Sequence, residues 1–129
     1  MKLLTPLFRF RRRVSNLWKL SGAFYQGKDG VLVTEPGIDY TILDCSGAGV
    51  VSFLGFVDLS SLGAGDTVDI RLVMSIKNQL LNTRKSYRGP VEDSLIDFSR
   101  KEAINPVVIL KQTTGVSRRI LFNWRWIKL

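Results

Sequence analysis

Hydrophobic and polar positions change period once along the chain. Over the first part, Leu7, Phe10, Val14, Leu17 and Trp18 recur at helical spacing, with Arg9, Arg12, Arg13 and Lys19 on the other side and Arg11 at the border. Thr5-Pro6 supplies an N-cap followed by proline at the first helical position, and Gly22 a stop. The pattern predicts an amphipathic helix about 20 Å long at 1.5 Å per residue. Its arginines sit near the start and oppose the helix dipole, so the helix needs a partner surface.

After Gly30 the pattern becomes alternation. Val31–Thr34 is a short strand closed by Pro36-Gly37. Ile38, Tyr40 and Ile42 alternate with Asp39 and Thr41, and Val50–Leu59 is a long apolar run with Gly55 inside it, marking a bulge or a close approach. Gly63-Ala64-Gly65-Asp66 reads as a turn. Val68, Ile70, Leu72, Met74 and Ile76 then face one way, with Asp69, Arg71, Ser75 and Lys77 mostly the other. Asn78–Pro90 is polar and basic and reads as a loop or mobile hairpin, and Ser94–Ala103 as one helical turn or an irregular crossing. Val107–Gln112 is a strand and Thr113–Val116 a turn. Arg119–Lys128 is the last strand, with Ile120, Phe122, Trp124 and Trp126 on one face.

Six or seven strands with turn signals between them predict an all-β fold. The expected architecture is a single antiparallel jelly-roll-like β-sandwich preceded by the basic amphipathic helix or arm. The expected division is an arm over residues 1–28 and a sandwich over residues 29–129, within the size of one domain.

Charge sharpens that division. Residues 1–28 hold seven basic side chains and no acid, whereas residues 29–129 hold twelve basic and eleven acidic ones. The net +8 is therefore a basic segment on a near-neutral body. Such a segment neutralises nucleic-acid phosphates, lies on an anionic membrane, reaches a neighbouring subunit, or packs back on its own body with the arginines solvated. An acid-free, arginine-rich start also fits the pattern of an organellar transit peptide, while Pro6 and the arginines leave no apolar stretch for a secretory signal.

Composition narrows the chemistry. The chain has no histidine, which removes Ser-His-Asp and Cys-His catalysis and zinc at a Cys/His site. One cysteine, Cys45, allows no internal disulfide and reads as a small buried hydrophobe. Asp39, Asp44, Asp58, Asp66 and Asp69 lack the spacing of a calcium loop and read as turn and surface acids. No cofactor is expected, and the chain is expected not to be an enzyme. Lys77, Arg84, Lys85 and Arg88 face Glu92, Asp93 and Asp97 as a charge-paired loop or a rim contact. Trp124 and Trp126 read as core aromatics; as a flat platform for sugar rings or bases they would instead make the protein a binding module.

Two stretches, Gly55–Arg71 and Leu110–Arg118 with the aromatic strand after it, resemble small β-sandwich proteins encoded by prokaryotic viruses, of phages or archaea, and related elements. The shared pattern is a strand ending in Asp58-Leu59-Ser60, a turn at Gly65-Asp66-Thr67, a long alternating strand, and Gln112-Thr113-Thr114-Gly115 before a closing strand. The resemblance implies a virion structural protein and carries no catalytic residue. On this reading the partners are other copies of the chain and other virion proteins, with nucleic acid or an anionic membrane as further candidates for the arm. Arg9, Arg11, Arg12, Arg13 and Lys19 would contact anionic groups, and Phe10, Leu17 and Trp18 would bury against the partner.

Overall fold

The computed structural model describes residues 26–76 and 78–129. The expected helix and its residues Arg9, Phe10, Arg11, Arg12, Arg13, Leu17, Trp18 and Lys19 lie outside the described residues. Every regular element among the described residues is a strand: β1 Gln26–Val33, β2 Asp39–Asp44, β3 Val50–Asp58, β4 Thr67–Ile76, β5 Gln79–Arg88, β6 Leu95–Asp97, β7 Arg100–Thr114 and β8 Arg119–Lys128. All pairings are antiparallel. The main path runs β1-β8-β3-β7-β4-β5, with β2 on β7 and β6 on β3.

The long strand β7 ties the molecule together. Arg100, Ala103 and Ile104 pair with β3. Beyond Pro106, Val107–Lys111 lie between β2 and β4. The change of partner falls at Asn105, whose φ of 50° is of a kind asparagine tolerates better than most residues. Its side-chain oxygen accepts the Gly49 N–H (2.8 Å), while its own N–H donates to the Gly49 carbonyl (2.9 Å).

Alternation supplies the core. Val51, Phe53 and Val57 of β3, Val68, Ile70, Leu72 and Met74 of β4, Val108 and Leu110 of β7, and Ile120, Phe122, Trp124 and Trp126 of β8 belong to one buried cluster. Burying large apolar side chains in this way contributes about 1.5–3 kcal/mol each. The close approach read at Gly55 is made by Phe98, whose ring occupies the space a β-carbon would need.

Two segments differ from their sequence reading. Residues 79–88, read as polar loop or mobile hairpin, form a strand in register with β4 from Thr67↔Arg88 to Ile76↔Gln79. Among the described residues this strand has no second partner in the sheet order, and nearly all its residues are exposed. Polar side chains are tolerated on both faces, so no alternation marks it. Asn78, at φ 67°, turns the chain from β4 into β5. Residues 94–103, read as a helical turn or crossing, are β6 and the start of β7. A three-residue strand is too short to show a period, and Pro106 interrupts the pattern of β7.

Candidate functional site

At one end of the molecule, loops distant in sequence meet on buried polar groups. The turn from β3 to β4 is closed by Asp66, whose N–H donates to the Gly63 carbonyl (3.1 Å) while its Oδ2 accepts the Gly63 N–H (2.7 Å). The same oxygen accepts Arg118 Nε (2.6 Å), and Oδ1 accepts the Val116 N–H (3.1 Å). The Asp66 carbonyl accepts the Gly89 N–H (2.8 Å). One residue, 1% exposed, thus joins its own turn, the segment after β5 and the β7–β8 turn. Burial raises the Asp66 carboxyl, but the hydrogen bonds from Gly63, Val116 and Arg118 and the guanidinium charge outweigh it and hold its pKa below the ordinary value. Gly115, at φ 101°, passes so close to Asp66 that a side chain there would overlap the carboxylate.

Beside it, Thr34 and Gln112 are both fully buried. The Thr34 hydroxyl donates to Gln112 Oε1 and accepts the Arg118 N–H (3.0 Å). Gln112 Nε2 donates to the carbonyls of Thr114 (3.0 Å) and Val116 (2.7 Å). The end of β1 is thereby fastened to the β7–β8 turn. These groups are mutually satisfied, and their role is architectural.

Three further turns share one device. In Asp44-Cys45-Ser46, Asp58-Leu59-Ser60 and Asp97-Phe98-Ser99 the carboxylate accepts the N–H of the serine two residues on, at 2.9, 2.9 and 2.7 Å. The middle residue is buried in each case. The polar ends close the turn while the apolar centre enters the core. Asp44 and Asp58, read from sequence as turn and surface acids, close turns here; the Asp-x-Ser spacing at strand ends is the signal that specifies how. The side-chain and backbone hydrogen bonds from Ser46 lower the Asp44 pKa.

The predicted sites are placed as follows. Trp124 and Trp126 point into the core beside Phe122, so they offer no platform for sugars or bases, and the binding-module reading built on them falls. Cys45 is buried, and burial, with the nearby Asp44 charge, pushes its thiol up to about 11. Arg84 pairs with Asp69 across the β4–β5 hairpin (3.8 Å) rather than with the acids after Pro90, and Arg71 pairs with Asp39 (3.8 Å). Asp39, Asp69, Arg71, Arg84 and Lys111 line one shallow cleft over β4 and β7, its carboxylates already matched to arginines. The structure does not bring these charged groups into contact with the Asp66 junction, which lies at the end of the strands.

The reverse face of β1, β8 and β3 is less polar than a solvent face. Leu54 and Phe56 of β3 and Ile127 of β8 are half-buried and pack apart from the main core. Arg125 lies between them and β1, paired with Asp29 (3.7 Å).

No family model matches the chain, and no curated protein matches it. Among solved structures it is similar to a chain in the structure of infectious bursal disease virus Gt strain. The TM-score is 0.43 and the identity 9%, over 80% of this chain and 31% of that one. The chain thus spans less than a third of that protein's length.

Proposed function

We propose that the protein is a virion structural component, a capsid, minor capsid or vertex subunit, built as a jelly-roll-like sandwich and acting by assembly rather than catalysis. The observation that carries this reading is the segregation of charge: seven basic residues and no acid in residues 1–28, against a body with twelve basic and eleven acidic residues. A near-neutral strand-built body suits tiling, and an acid-free segment suits attachment. The resemblance of Gly55–Arg71 and Leu110–Arg118 to small viral β-sandwich proteins supports the same role. Among the described residues, β1 and β5 end the sheet order, and contacts between copies would cover such edges. The partners are other copies of the chain and other virion proteins, and Arg9, Arg11, Arg12, Arg13 and Lys19 supply the contact to anionic groups.

The test is the mass of the full-length protein by light scattering at low and high salt, beside a variant with Arg9, Arg11, Arg12 and Arg13 changed to serine. The expected outcome is a large, salt-sensitive assembly that the variant fails to form. A monomer at both salt concentrations, or an intact assembly from the variant, overturns the proposal.

A further inference from the structure

Register sets a grid of charge on the outward face of β5, β4, β7 and β2. One row across it reads Ser86, Asp69, Lys111, Asp39, and the next reads Arg84, Arg71, Ile109, Thr41. Lys111 thus stands between two carboxylates, while Arg84 and Arg71 stand directly opposite each other on β5 and β4. Like charges in directly opposite positions of a strand pair destabilise it. The neighbouring acids relieve this only weakly. Arg71–Asp39 and Arg84–Asp69 are both 3.8 Å apart, beyond hydrogen-bond length. Asp69 accepts its hydrogen bond from the Ser86 hydroxyl instead, and Arg71 Nε has no hydrogen-bond partner among the described residues. Two opposed guanidinium groups with donors to spare form a fork for an oxyanion.

The surroundings of that fork narrow the ligand. The five charged side chains, with Thr113, rim a cleft of 160 Å³ whose apolar lining is Ile109. That is close to the ~150 Å³ that accommodates a benzene ring in an engineered protein cavity. The cleft is open to solvent, since the Asp39 and Arg84 side chains are 55% and 66% exposed. Three cations against two carboxylates leave it at +1, a charge that one monoanionic group neutralises. Asp39 and Asp69 can only accept hydrogen bonds, so they suit hydroxyl groups and repel a second negative charge.

We propose that this cleft binds a sugar ring bearing a single acidic group, a carboxylate or a sulfate. The acidic group bridges Arg71 and Arg84, with Lys111 beside it. Ring hydroxyls donate to Asp39 and Asp69, and the apolar face of the ring lies on Ile109. A nucleic-acid backbone brings successive phosphates against the two carboxylates, and a bare inorganic anion leaves the carboxylates and Ile109 unused. The site stands independently of the virion reading.

The test is saturation-transfer difference nuclear magnetic resonance on the full-length protein. Sodium glucuronate and glucose 6-sulfate are the probes, with glucose, acetate and inorganic phosphate for comparison. The expected result is that at least one acidic sugar binds, about tenfold or more tighter than glucose or acetate. Which of the two binds identifies the acidic group. Arg84→Gln and Lys111→Gln should each weaken that binding about tenfold, as for loss of a charged hydrogen bond. Circular dichroism checks that each variant folds; if one does not, the other carries the comparison. Failure of both acidic sugars to bind overturns the proposal. So does displacement by acetate or phosphate at equal concentration, which would show an anion site only, or unchanged affinity in the folded variants. The method reads the ligand's signals on monomer and assembly alike, so this proposal and the virion reading can fail separately.

Discussion

Asp66 shows how one side chain can hold several loops in place. Its two carboxylate oxygens accept from Gly63, Val116 and Arg118, and its carbonyl from Gly89. A carboxylate taken out of water is costly unless each lone pair finds a donor, and here the donors come from three separate segments. Asp66→Asn keeps the shape but places an amide nitrogen against the N–H donors, and it leaves the Arg118 guanidinium without its counter-charge. The expected loss is about 2–4 kcal/mol, by analogy with removing one partner of a buried charged hydrogen-bond network. The pH dependence has a definite sign. A carboxyl whose folded pKa lies below its unfolded value contributes stability above the unfolded value, near 3.8, and loses it as pH falls through the folded pKa. Urea denaturation of both proteins across acid pH checks this: the gap between them should be constant near neutral pH and narrow progressively as the pH falls toward and through 3.8. Equal midpoints at pH 7 would show that the junction holds nothing.

At the scale of the element, β3 is shaped by what lies on Gly55. The Phe98 ring occupies the β-carbon position, the Gly55 N–H donates to Ser99 Oγ (2.9 Å), and the Phe98 N–H donates to the Gly55 carbonyl (2.9 Å). Gly55→Ala should cost about 1–3 kcal/mol by overpacking, and Phe98→Leu in the same chain should recover part of it. A double-mutant cycle on thermal midpoints measures the coupling; strictly additive losses would place the strain elsewhere. Legibility in the sequence also followed elements. β4 and β8 were readable because each sets one face against the core, so Val68–Met74 and Ile120–Trp126 alternate. Strand β5 carries Leu80, Thr83, Arg84 and Lys85 with no buried face to impose a period, and it is a strand because Asn78 turns it back on β4. The same physics limits the reading of sites. The turn at Gly63–Asp66 is local and was visible. Arg118 meets Asp66 across 52 residues, a contact that only the completed fold creates. The Trp124–Trp126 spacing fitted both a core and a platform, and the face on which β8 meets the core decided between them. Residues 1–25 of the arm lie outside the described residues, so most of the strongest charge signal in the chain was read from sequence alone.

For the whole molecule, the path of β7 determines how it comes apart. Its first residues pair with β3, and the rest lie between β2 and β4, so both halves of the strand system share one strand. The main core among the described residues is likewise one cluster, drawing on β2, β3, β4, β7 and β8. Melting the β4–β5 side would strip one edge of β7 and expose Val108 and Leu110, while melting the β1–β8–β3 side would expose Phe53 and Trp126 and free the start of β7. Neither half retains a closed interior without the other, which favours all-or-none unfolding for a domain of this size. The Asp66 junction adds to the coupling, because the segment after β5 and the β7–β8 turn hold the same residue. Tryptophan emission and far-ultraviolet circular dichroism should therefore give coincident urea transitions. To confine the emission to Trp124 and Trp126, which lie in the β8 core, Trp18 is best replaced by phenylalanine. Circular dichroism reports all the strands. Two separated transitions would mean that β7 bends at Asn105 between halves that hold independently, and that the shared core does not bind them into one unit.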